Sequence, residues 1–138
     1  MVYAIEQAII DRYGNDALYI VADRDKDDQL DHLAIEHALA DASAHIDLYL
    51  TGRYTLPLST PSALLTRLCV DIAIYWLGED RGGASEERRK RFEDAEKTLA
   101  KIASGEVKLM IDAPTSNSTG ISFSASKRQF SRQSLKGF

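Results

Sequence analysis

The run from Thr60 to Leu77, TPSALLTRLCVDIAIYWL, is apolar on almost every side of a helix, and that single property restricts how the rest of the chain can be arranged. Thr60 offers an N-cap. Pro61 suits the first helical position, where its missing N–H costs nothing, and Gly78 supplies a stop signal. A helix with no face left for water must be the central member of a bundle or lie sandwiched between subunits. Leu65, Leu68, Ile72 and Trp76 are expected to face the core. The strongly polar exceptions, Arg67 and Asp71, stand one turn apart and are expected on a surface that meets a neighbouring subunit.

The other segments read as partners for that helix. Ile5, Ala8, Ile9 and Tyr13 recur at helical spacing before Gly14, which predicts a first helix, and Ala17, Leu18, Ile20 and Val21 follow as a short apolar patch. His32 to Leu50 carries Ile35, Leu39, Ala42 and Ile46 as a stripe, with Glu36, Asp41 and Asp47 away from it. Residues 53–60, with Pro57 between Leu56 and Leu58, predict an extended connection packed on the bundle. Ser85 caps a further helix whose buried edge is Phe92, Ala95, Leu99 and Ile102, ending at Gly105. Val107, Leu109 and Ile111 then alternate with Lys108 and Met110, the pattern of a short strand without a sequence partner. The fold expected is therefore mainly α: a small four-helix bundle over residues 1–105, with a short C-terminal strand and an extended C-terminal arm over 106–138.

Charge is distributed unevenly along this plan. Lys127, Arg128, Arg132 and Lys136 give residues 127–138 a charge of +4, so the first 126 residues must carry −8 to bring the chain to −4. An acidic body lacks the phosphate attraction on which general nucleic-acid binding rests. The basic run Arg88-Arg89-Lys90-Arg91 does not change this, because Glu86, Glu87, Glu93, Asp94 and Glu96 surround it. In the arm the cations are interleaved with Phe130, Leu135 and Phe138, a composition that suits ordering on a partner. No apolar run reaches the ~20 residues of a membrane span. The single cysteine, Cys69, lies in the most apolar helix and reads as a buried, reduced thiol. No histidine is set beside a credible nucleophile and no glycine-rich phosphate loop follows a strand, so catalysis is not expected.

Two constellations bear on metals. Asp23, Asp25, Asp27 and Asp31 occupy positions one, three, five and nine of a calcium-loop spacing, but Asp28 stands where a glycine belongs and Ala34 where a bidentate glutamate belongs. This is either a weak calcium site or a solvated acidic loop whose Asp31 caps the next helix. His37, Asp41 and His45 are one turn apart, yet His37 and Asp41 point away from the apolar stripe, which favours a wet face over a metal ladder. No cofactor is implied elsewhere.

The segments 38–50 (ALADASAHIDLYL), 53–58 (RYTLPL) and 64–77 (LLTRLCVDIAIYWL), in that order and spacing, resemble the Mu-like phage neck proteins of the head–tail connector or adaptor family. The opening helix from Tyr3 to Gly14, the aspartate loop and the ending from Phe130 to Phe138 are also similar, so the likeness covers nearly the whole chain. It implies a structural virion protein, made in the host bacterial cytoplasm, that forms a ring, dodecameric in that family, between the portal and a downstream neck or tail-terminator protein. DNA would be passing cargo in the channel. On that reading Lys127, Arg128, Phe130, Arg132, Leu135, Lys136 and Phe138 are the assembly residues, joined by Arg67 and Asp71. The competing expectation is a calcium-binding helical interaction module built on Asp23, Asp25, Asp27 and Asp31.

Overall fold

The computed structural model describes residues 1–79 and 84–111. They form five helices: α1 (Glu6–Tyr13), α2 (Asn15–Ala22), α3 (His32–Leu50), α4 (Ala63–Glu79) and α5 (Glu86–Ser104). Helix α4 packs against all four of the others, as α3 also does, and it buries the larger share of its own length, in keeping with the central place expected of it. Leu65, Cys69, Ile72, Ala73 and Ile74 are fully enclosed, and Trp76, expected in the core, is half-buried against His45 and Phe92.

The ends of α4 differ from their sequence reading. The helix begins at Ala63, and Ser62, not Thr60, receives the first-turn N–H of Leu65 on its hydroxyl. At the other end Gly78 does not stop the helix. It is buried inside the last described turn, where an added Cβ would make an ordinary contact 3.4 Å from the Val21 side chain of α2.

The fifth helix is the main addition to the expected plan. Residues 15–22 were legible only as an apolar patch, because two turns give too few positions for a 3.6-residue period to stand out. Leu18, Val21 and Ala22 nevertheless seat one full face on the core. Helices α3 and α5 begin as expected, with the Asp31 carboxylate accepting from Ala34 N–H at 3.1 Å and the Ser85 hydroxyl from Arg88 N–H at 3.3 Å.

The expected strand is absent: there is no strand among the described residues. Its alternation is real, because Leu109 is buried and Val107 and Ile111 pack on the core, while Lys108 and Met110 face water. An extended strap lying on helices yields the same two-residue period as a strand, and here it is held by α5 and by the connector that precedes α4. Val107 N–H donates to the Lys101 carbonyl at 3.1 Å, and Leu109 N–H to the Tyr54 hydroxyl at 3.0 Å. Tyr54 belongs to the 51–62 connector, which contains a cis Leu56–Pro57 bond and buries Leu58 as its packed character predicts.

Arg53 ties that connector to the end of α5, donating to the carbonyls of Ala103 at 2.9 Å and Ser104 at 2.7 Å. Gly105 follows at φ 83°, a left-handed C-cap over which the Arg53 guanidinium lies. Gly105→Ala is expected to destabilise the fold by about 1–2 kcal/mol from the backbone alone, and the new Cβ also displaces Arg53. Chemical denaturation measures it; an unchanged midpoint would mean that this cap is not made.

Candidate functional site

Asp71 is the buried charge on which the polar interior turns. It is 4% exposed, and helix α1, ending at Gly14, brings two donors to it. Arg12 donates from Nε to Oδ1 at 2.6 Å and from Nη2 to Oδ2 at 3.0 Å, and the Tyr13 hydroxyl donates to Oδ1 at 2.7 Å. Arg91 of α5 lies over the Tyr13 ring, 5.1 Å from its centroid, and pairs with Glu87 at 2.6 Å. The Tyr13 hydroxyl is pushed above its ordinary range by burial, then by the hydrogen bond to Asp71. Asp71 therefore fastens α1 to α4 within one chain. This corrects the expectation that it reaches a neighbouring subunit: its carboxylate is already satisfied by Arg12 and Tyr13.

Arg67 separates from its expected companion. It is exposed, lines the grooves on both sides of α4, and no ion pair ties it to another described residue. Arg12 and Tyr13 were not legible as Asp71 partners, because a separation of 58 or 59 positions leaves no local signal.

A second polar tie joins α3 to α5. The carboxylate of Glu96 meets His45 Nε2 at 2.6 Å and accepts from the Tyr49 hydroxyl at 2.8 Å, while the His45 ring stands edge-on to Trp76 at 5.4 Å. His45 is thus turned toward its neighbours in the bundle, whereas His37 and Asp41 stay exposed as expected. Residues 1–5 lie along α3 in extended form, pinned at Tyr3. Its N–H donates to Ser43 Oγ at 3.1 Å, its carbonyl accepts from Thr66 at 2.8 Å and its hydroxyl donates to Asp47. Cys69, enclosed beside Ser43, has its thiol pushed up by burial, which keeps it protonated and unreactive.

The aspartate loop spends its carboxylates on its own backbone. Asp23 accepts from the N–H groups of Asp27 at 3.2 Å and Asp28 at 3.1 Å, Asp27 accepts from Gln29 at 2.9 Å, and Asp31 caps α3. Asp28, in the place of a loop glycine, adopts φ 59°. Asp23, Asp25, Asp27 and Asp31 are not brought together: among the described residues no three His, Cys, Asp or Glu side chains converge as a metal would require. Lys127, Arg128, Phe130, Arg132, Leu135, Lys136 and Phe138 lie outside the described residues.

One exposed pair carries a pH signal. His32 Nδ1 sits 2.7 Å from Glu6 Oε2, joining α1 to the start of α3, and this hydrogen bond raises the His32 pKa above 6.5. A raised folded-state value adds stability that is complete below the unfolded pKa of 6.5 and is lost as pH rises through the folded value. In Glu6→Gln the His32 titration, followed by NMR, should fall back toward 6.5. An unmoved titration would remove Glu6 as the cause.

Five helices packed on one core and braced by part-buried polar ties, with no described helix long and apolar enough to cross a membrane, define a small all-α packing domain. Sequence comparison narrows this class, and the chain belongs to the phage Mu Gp36 family. The family model described as Bacteriophage Mu, Gp36 matches residues 3–125. The Mu-like prophage FluMu protein gp36 of Haemophilus influenzae is 36% identical over 141 residues, covering 100% of this chain and 99% of that protein. Gene product J of Escherichia phage Mu is 33% identical over 119 residues, covering 86% of this chain and 83% of that one.

Proposed function

We propose that this phage Mu Gp36 family protein is a non-catalytic head–tail connector, a ring component that bridges the portal to the downstream neck or tail-terminator protein. The observation that carries the reading is the charge split: −8 over residues 1–126 against +4, interleaved with three large apolar residues, over 127–138. Two unlike patches on each copy make a head-to-tail contact, and such contacts close into rings when the rotation between copies allows it. Family membership supplies the phage context, and the resemblance to neck adaptors supplies the position. An acidic channel suits passing DNA, because it offers no phosphate neutralisation.

The polar interior supports a structural role. Asp71 and Glu96 have their oxygens committed to neighbouring helices, which stiffens the domain. Co-sedimentation of the chain with its cognate portal tests the proposal. The full chain should travel with portal, and the chain lacking residues 127–138 should remain behind while keeping its helical circular-dichroism spectrum. Equal co-sedimentation of both would remove the arm from assembly.

A further inference from the structure

The outer face of α3 carries four exposed apolar residues around His37. Leu33, Ala40, Ala44 and Leu48 follow one another at intervals of seven, four and four, which at 100° per residue puts them on one side of the helix. All four are exposed, Leu33 to 62% and Leu48 to 75%. The stripe runs roughly 22 Å at 1.5 Å per residue. Beside it, Val2 and Ile5 of the amino-terminal segment are 62% and 67% exposed, and together with Ala40, Glu6, Glu36 and His37 they line an open groove of about 560 Å³. Carboxylates border the stripe: Glu36 and Asp47 on the flank toward residues 1–7, Asp41 on the other.

Resting on the ring reading, we propose that this groove and stripe receive residues 127–138 of a second copy. The segment carries four cations and no carboxylate, with Phe130, Leu135 and Phe138 between them, which complements an apolar track edged with acid. Fifteen residues, 112–126, separate the described body from this segment, and a chain of that length spans at most ~50 Å, longer than the ~30 Å breadth of a domain this size, so a neighbour lies within reach. Two α3 faces meeting about a two-fold axis would oppose acidic rims, and phosphate is repelled by the same rims.

The test mixes two full-length single-cysteine-addition variants of different tag length, Ala44→Cys and Ser134→Cys, under a mild oxidant; Cys69 is enclosed and serves as background. The expected result is a mixed disulfide in several-fold excess over that of Ser134→Cys with Lys97→Cys, a site on the exposed face of α5. Adding Leu33→Glu and Leu48→Glu to the Ala44→Cys chain should abolish the excess. Mixed product no greater than the Lys97 control, a predominance of Ala44→Cys homodimers, or closure only within a chain carrying both substitutions would each overturn the proposal. Electron microscopy of the wild-type chain with portal, run in parallel, separates the two claims. Rings without the mixed disulfide sink the groove assignment alone, and the mixed disulfide without rings sinks the ring reading alone.

Discussion

Replacing Asp71 with alanine is expected to cost about 3–5 kcal/mol of folding free energy, because removal of one partner from a buried ion pair leaves the other charge uncompensated. Arg12 would lose both hydrogen bonds and Tyr13 its acceptor, in a position where the Asp71 side chain is 5% and that of Arg12 26% exposed. The partial exposure of Arg12 lets water recover some of the loss and places the effect toward the lower end of that range. Arg12→Ala should be damaging for the mirrored reason, since it abandons the less exposed partner. In the double variant the two costs should fall well short of their sum, the mark of direct coupling. Denaturant titration of the four proteins measures this, and strict additivity would contradict the tie between α1 and α4.

The second large effect is expected at Ile72→Ala, at about 2–5 kcal/mol. Ile72 is fully enclosed in α4, which packs against the other four helices. Three of its neighbours are held by polar ties, α1 through Asp71, and α3 and α5 to each other through Glu96, which limits how far they can move to close a cavity. That rigidity puts the cost in the upper half of the range. A loss under about 1 kcal/mol, closer to an Ile→Val change, would show that the site collapses and that α4 is less central than its contacts indicate.

The central helix, the caps at Asp31 and Ser85 and the stripes of α3 and α5 were legible because each is a local pattern read over a few turns. Helix α2 was too short for a period. The strap at 107–111 had the period of a strand, but a ladder depends on a partner elsewhere in the chain, and none of the described residues provides one. Asp71 shows the same limit for the polar residues. Its position in an apolar helix marked it as unusual, yet the choice between Arg67, one turn away, and Arg12, 59 positions earlier, rests on the packing of α1 against α4. The apolar outer face of α3 was hidden for a different reason. Its members are two leucines and two alanines dispersed among Glu36, His37, Asp41 and Asp47, so in sequence the face looks solvated.

Assembly of this family member as a ring on portal is tested by electron microscopy of the purified chain mixed with its cognate portal. The predicted result is a second annular density beneath the portal, built from small helical domains in rotational register. Portal particles with no added density, and the chain remaining monomeric beside them, would contradict it.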